Sequence, residues 1–280
     1  MNLYSAKAIQ VILEDYNLKP QKKMGQNFLI DKNIIAKFIT TCDLNENDTV
    51  IEIGSGLGSI TQFLAEKAGE VIGVEKDPEL VKASKEILKD FENIKIIQDD
   101  ILNFNTHNLK KYKIVGNLPF YITSPIIKKF LEEPNKPEKM VFIIQKEVAQ
   151  RICSTPPDMT ILSNSVQFFA QPKIISLISK NSFWPVPTID SAILEVSMLS
   201  KNVLEQQRET LAPEFFKIMK AGFSHPRKQL ANNFSQELNL DKKQISKLLN
   251  KGKIEGSRRA ESLKIQDWIN LAKSLKYINE

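Results

Sequence analysis

Two histidines and two cysteines in 280 residues leave little material for the chemistry those side chains usually carry. His107 and His225 cannot by themselves build a multi-histidine metal site, and a histidine-based catalytic triad has almost nothing to draw on. Cys42 and Cys153 stand far apart without metal-ligand spacing, which excludes a disulfide framework and a zinc site. No apolar run approaches the roughly 18 residues that a membrane span needs. The N-terminal stretch "MNLYSAKAIQVILEDYNL" mixes acidic with apolar residues, unlike a signal peptide, so a cytoplasmic location and no membrane partner are expected. Repeats and low-complexity segments are absent as well. Any chemistry has to rest on other groups.

What is present is ordinary soluble-protein composition, 42% hydrophobic and 26% charged, with a net charge of +6. That charge is unevenly placed. Residues 1–200 hold 23 Lys and Arg against 24 Asp and Glu, whereas residues 201–280 hold 16 against 9. A basic C-terminal portion beside a neutral body suits a polyanion, because Lys and Arg that contact phosphates release counterions. The alternative is a solvated lysine-rich face.

From Thr49 onward, short runs rich in Ile and Val alternate with amphipathic stretches, the pattern of a parallel sheet with crossover helices. Strands are expected at 49–53, 70–75, 94–98, 112–116, 139–145, 173–178 and 191–199, and seven strands fit one doubly wound α/β sheet, mostly parallel. The last two follow a proline-bearing loop, "SFWPVPTID", and read as a hairpin-like pair. Helices are expected in "GSITQFLAEKA", in "DPELVKASKEILKDF" with Asp77 as cap and Pro78 in the first turn, and in "TSPIIKKFLEE". Two more precede the sheet, around 5–17 and 31–41. After Ser200, "PEFFKIMKAGF", "KKQISKLLNKG" and "IQDWINLAKSL" carry helical spacing, so the expected division is a sheet domain over 1–200 and a basic, all-α domain over 201–280.

The stretch "VIEIGSGLGS" runs from a strand into Gly54, Gly56 and Gly58 and then a helix. Glycine there permits a tight turn and lets a ligand approach the backbone at the strand's carboxyl end. Ser59 stands where a dinucleotide fingerprint has its third glycine, which demotes a nicotinamide site. Glu75 ends the next strand, where a carboxylate can accept ribose hydroxyls. Asp100 follows the third strand beside Asp99; one of the two could receive an adenine amine while the other caps a turn. Asn117, in "GNLPF", follows the fourth. Gly54, Glu75, Asp100 and Asn117 therefore fall at the ends of four successive strands, along one crevice.

Such an arrangement suits methylation of an adenine 6-amino group. That nitrogen is a poor nucleophile because its lone pair is delocalised into the ring. The Asn117 side-chain oxygen and the neighbouring backbone carbonyl, of Leu118, can accept its two hydrogens and favour a pyramidal nitrogen. Pro119 fixes the backbone that aims the carbonyl, and Phe120 offers a flat face for the base. No strong base is needed, since the proton leaves after attack on a positively charged sulfonium; alignment and electrostatics do most of the work.

The stretches "KMGQNFLID", "IEIGSGLGSIT", "NLPFYITSPII", "QKEVAQRI" and "FWPVPTIDSAI" resemble the S-adenosylmethionine-dependent rRNA adenine dimethyltransferases. "GFSHPRKQL" and "RRAESL" resemble the small-subunit branch, which dimethylates two adjacent adenosines near the 3′ end of 16S rRNA. The resemblance runs from about Lys19 to about Ala272. It implies a class I, Rossmann-like methyltransferase sheet with an α-helical C-terminal domain that binds rRNA, the immature small ribosomal subunit as partner, and a monomer. It also implies that Asn27 and Leu29 close over S-adenosyl-L-methionine, that Gly54 lies against it, that Glu75 holds its ribose and that Asp100 contacts its adenine. Asn117 would meet both cofactor and target amine, and Phe183 would stack on the target base opposite Phe120. The family often has Tyr at Phe120; Phe keeps the stacking face and loses the hydroxyl. Competing readings are a 23S rRNA adenine methyltransferase of the macrolide-resistance type, a DNA adenine methyltransferase, a non-catalytic ribosome-assembly factor and a dehydrogenase.

Overall fold

The structure, a computed structural model, describes residues 3–21, 25–119, 121–199 and 203–279. Its elements in chain order are α1 (Ala6–Asp15), β1 (Phe28–Leu29), α2 (Lys32–Cys42), β2 (Thr49–Ile53), α3 (Thr61–Ala65), β3 (Glu70–Glu75), α4 (Pro78–Ile87), β4 (Ile94–Gln98) and β5 (Lys113–Asn117). They continue with α5 (Thr123–Glu132), β6 (Lys139–Gln145), α6 (Lys146–Ile152), α7 (Ile161–Phe169), β7 (Ala170–Ile178), β8 (Phe183–Trp184) and β9 (Ser191–Met198). The chain closes with α8 (Val203–Phe223), α9 (Leu230–Glu237), α10 (Lys242–Gly252) and α11 (Ile265–Asn279).

By its contacts the chain forms two compact units, Met1–Ala149 with Pro172–Met198, and Gln150–Gln171 with Leu199–Glu280. A boundary at residue 200 counts 150–171 with the sheet; in the structure α7 packs with the later helices. Phe168 explains this, since its ring stacks on Phe215 at 3.9 Å between centroids and joins a core with Phe234, Leu248 and Trp268.

Seven strands form one sheet in the order β4-β3-β2-β5-β6-β9-β7, parallel from β4 to β6, with β9 antiparallel to β6. The expected strand set is therefore present. Central strands such as β2 and β6 are buried along nearly their whole length, which is why they read as unbroken apolar runs. The outer strands β4 and β7 alternate in burial, and Pro172 sits in β7, where an edge position spares the missing N–H. Because β2, β3 and β4 progress one way from the centre and β5 lies on the other side of β2, the chain changes direction between β2 and β5. In open α/β sheets a ligand crevice forms beyond the carboxyl ends of strands at such a point.

The sequence pattern also located α1, α2, α4 and α5, with Asp77 accepting from the Glu79 N–H at the start of α4 as expected. It overextended α3, which spans five residues because the glycine turn before it takes up the first part of the stretch. It did not identify α6, α7 or α9, nor the first half of α8, where Pro213 lies inside the helix instead of opening it. Among the described residues no helix is long and apolar enough to cross a membrane.

Candidate active site

A cavity opens at the carboxyl ends of β2, β3, β4 and β5. Asn27, Leu29, Gly54, Glu75, Asp100, Asn117 and Pro119 all line it. The pairs Ile53↔Val74, Val74↔Ile97 and Ile53↔Gly116 place the four strand ends side by side, so the expected register is present.

Gly54, Gly56 and Gly58 have φ of 70°, 57° and 90°, the left-handed region that side chains with a Cβ rarely adopt. Among the described residues a Cβ on Gly54 would meet nothing within 4 Å, which leaves the backbone open to a ligand. A Cβ on Gly58 would lie 2.7 Å from Leu88, so that glycine serves close packing instead.

Glu75 is buried, and its carboxylate is held by three backbone donors: Lys76 N–H at 2.8 Å and Asp77 N–H at 2.9 Å on Oε1, and Gly56 N–H at 3.0 Å on Oε2. Burial pushes its carboxyl above the usual range despite those donors. Three of about four lone-pair positions are thus taken, leaving room for one hydroxyl where a free carboxylate would accept two. Asp100 accepts from the Leu102 N–H at 3.0 Å and from the Lys76 ammonium at 2.8 Å. The ammonium holds its carboxyl below the usual range. Asp99 caps the same turn through the Asp100 N–H at 2.7 Å.

Asn117 ends β5 and donates its amide nitrogen to the backbone carbonyl of Asn27 at 2.8 Å. That bond settles which way the amide points, so its oxygen remains as an acceptor. The Pro119 carbonyl is already engaged by Ile122 N–H at 3.2 Å and the Thr123 hydroxyl at 3.3 Å. The segment bearing Asn27 is anchored in turn: Gln21 and Gln26 both donate to Asp77 Oδ2, at 2.9 and 3.1 Å.

Two expected site residues keep their side chains out of the cavity lining. The Leu118 side chain is 2% exposed and does not line the cavity, which leaves only its backbone for chemistry. Phe183, expected to stack on the target base, is also 2% exposed and is absent from the lining. It pairs with Leu29 across the small antiparallel sheet of β1 and β8. Strand alternation then sends Leu29 and Phe183 into the core beside Ile35 and Phe38, while Phe28 and Trp184 face the α1 cluster. Phe120 lies outside the described residues.

The sequence pattern passed over Glu52, a carboxylate within the apolar run "VIEI" of β2, which was its one visible signal. Glu52 lines the cavity at 2% exposure, its Oε2 has no hydrogen-bond partner among the described residues, and burial pushes its carboxyl up to about 8. Among the described residues the buried hydroxyls of Ser55 and Ser59 likewise have no partner. Unpaired buried polar atoms are costly, so three of them around one glycine turn mark a place for a polar ligand. A cofactor with an amino-acid moiety and a ribose fits that donor and acceptor set. Tyr121, 59% exposed, stands at the cavity mouth. Among the described residues no group of three His, Cys, Asp or Glu could hold a metal ion.

A seven-stranded sheet with one antiparallel strand near its edge, and a glycine turn with acids at its carboxyl ends, define a class I methyltransferase. The profile of the ribosomal RNA adenine dimethylase family matches residues 17–276, and the chain belongs to that family. A curated relative from Dehalococcoides mccartyi, "Ribosomal RNA small subunit methyltransferase A", is 40% identical over 264 residues, covering 93% of this chain and 90% of its own. A relative of the same name from Alkaliphilus oremlandii is 36% identical over 281 residues and covers 97% of both chains. The fold matches a crystal structure of a dimethyladenosine transferase from Plasmodium falciparum with a TM-score of 0.78 at 22% identity, over 89% of this chain and 96% of the other. It also matches 23S rRNA methyltransferase ErmE at 0.75 and 24%, over 89% and 100%.

Proposed function

We propose that this protein transfers methyl groups from S-adenosylmethionine to the 6-amino groups of two adjacent adenosines near the 3′ end of 16S rRNA, acting as a monomer on the immature small subunit. The observation that carries this reading is the Asn117 amide, which lines the crevice and whose nitrogen is held by the Asn27 carbonyl at 2.8 Å, so that its oxygen serves as the acceptor. The relatives named as small-subunit methyltransferases support 16S over 23S rRNA as substrate.

The bound cofactor supplies an electrophilic methyl group on a sulfonium. The chain's residues do the rest. Gly54 gives open backbone to the cofactor, Glu75 has one remaining acceptor position for a ribose hydroxyl, and Asp100 borders the position of the adenine. Asn27 and Leu29 form the wall that covers them. The Asn117 oxygen and the Leu118 carbonyl accept the two hydrogens of the target amine, turning its lone pair toward the methyl group. Phe120 supplies a face for the base, which has left its stack as a nucleotide must to enter such a crevice. The basic helical unit holds the surrounding rRNA.

Mass spectrometry of small-subunit rRNA from cells with and without the gene tests this directly. Loss of two adjacent dimethyladenosines on deletion is the expected result. Unchanged small-subunit rRNA, or a lost modification in the large subunit, overturns it.

A further inference from the structure

The helical unit carries a surface that the active site does not explain. Helix α10 buries Ile245, Leu248, Leu249 and Gly252, and its N-terminus is closed by a capping box between Asp241 and Gln244. That apolar face and that cap account for its place in the fold. Its other face has no such account. Lys243, Lys247 and Lys251 follow one another at four-residue spacing, which puts their Cβ atoms about 6 Å apart in one row. Lys242 and Lys253 flank the row, and all five are exposed.

A helix face kept merely in solvent commonly alternates charges at this spacing, because like charges repel. This chain does so in α5, where Lys128 meets Glu132 at 3.9 Å and Lys129 pairs with Glu133. On α10 the only acid of the segment 240–254 is Asp241, already used as the cap. None of the five lysines has an ion pair among the described residues; those of this unit are Arg258 with Asp267 and Arg259 with Glu261.

Two further features adjoin the row. At one end Lys251 lies over the ring of Tyr277, 5.4 Å from its centroid, and that ring is 69% exposed. An exposed aromatic beside a line of cations is what stacks an unpaired base. Along one side a groove of about 580 Å³ runs between α9 and α10, with Ile245, Leu249 and Ile254 as floor and Asn232, Ser246 and Asn250 in its walls. Glu255 is the one acid on its lining.

We infer that the α10 lysine row, with Tyr277 and the α9–α10 groove, binds a segment of single-stranded RNA separate from the methylated nucleotides. The lysines meet successive phosphates, Tyr277 stacks a base, and the groove admits another. The inference rests on the proposed action on rRNA and adds where the helical unit grips it.

The test uses the full-length protein and a labelled single-stranded oligoribonucleotide that lacks the methylated sequence, with affinity measured across a salt series. Three phosphate contacts contribute about 2 to the slope of log affinity against log salt on a single strand. Changing Lys243, Lys247 and Lys251 together to Gln lowers the slope by about that amount. The same change at exposed Lys82 and Lys85 of α4 and Lys89 just beyond it leaves it in place. Tyr277→Ala weakens binding without altering the slope, and Tyr277→Phe restores it. Equal losses from both lysine triples, or no loss from the α10 triple, overturn the inference. Cofactor binding by calorimetry and methylation of immature small subunits are followed in parallel. Wild-type methylation with an unaffected α10 triple leaves the enzyme reading standing while this one fails; an RNA-binding row without any methylation does the reverse.

Discussion

The side chain of Asn117 donates to the backbone carbonyl of Asn27 at 2.8 Å, joining the end of a central strand to a segment ninety residues earlier. One amide thereby ties the front wall of the crevice to its floor and fixes its own orientation. Replacing it with Asp removes the donor and sets a carboxylate against a carbonyl. The expected loss in single-turnover methyl transfer is about 100-fold or more, the scale seen when one preorganised polar group is removed. Quench-flow on purified Asn117→Asp measures it, and activity near wild type would remove Asn117 from the centre of the chemistry.

Glu52 makes apo-protein stability depend on pH. Its folded-state carboxyl is raised from 4.5 to about 8, so between those values the native state holds a proton that the unfolded chain has lost. Stability from this group is present below about pH 4.5 and declines as pH rises toward 8, by at most about a few kcal/mol. Glu52→Gln flattens that dependence, and urea midpoints at pH 5.5 and 8.5 read the difference. Because a cationic ligand favours the ionised carboxylate, S-adenosylmethionine affinity by calorimetry rises over the same window in wild type and stays level in the variant.

The two glycines at 54 and 58 separate binding from packing. Both have positive φ, so alanine at either costs about 1–2 kcal/mol in backbone strain. Gly58→Ala adds a clash with Leu88 and lowers the melting temperature further. Gly54→Ala meets no atom of the described residues within 4 Å, and its added effect appears as weaker cofactor binding. A Gly54→Ala protein with wild-type cofactor affinity would show that the ligand stays clear of that backbone.

Phe120 and Phe183 are predicted to differ. Phe120→Ala loses most methyl transfer and Phe120→Tyr does not. Phe183→Ala costs about 3–5 kcal/mol because it empties a filled core position. Phe183→Leu, which keeps an apolar side chain there and leaves a smaller cavity than alanine does, retains methyl transfer. Thermal denaturation and a filter-binding methylation assay on the same preparations separate the effects; a stable but inactive Phe183→Leu would return that ring to the target base.

Much of this was legible in the sequence because the relevant signals are local. Apolar runs of five to seven residues mark β2 to β6, and Gly54, Glu75, Asp100 and Asn117, at or just past the ends of β2 to β5, fall at the crevice by strand register alone. Long-range pairing is not local. Nothing near Phe183 announces that Leu29 lies opposite, so the ring's burial could not be read from its neighbours. Glu52 was hidden for the opposite reason: strand periodicity assigns it to a buried position, where a carboxylate looks like an exception to the pattern. Helix α7 was missed because its partner, Phe215, lies far along the chain.

The β1–β8 pairing also bears on the order of events during synthesis. Phe28 and Leu29 emerge from the ribosome early, but the residues that hold them, Phe183 and Trp184, follow roughly 150 residues later. Closing so long a loop carries a large entropic cost and belongs late in folding. A nascent chain that has completed β2 to β6 therefore has the glycine turn and its acids without the strand partner that secures the wall over them. On this ordering, the wall over the crevice is secured only after residue 184 has left the exit tunnel.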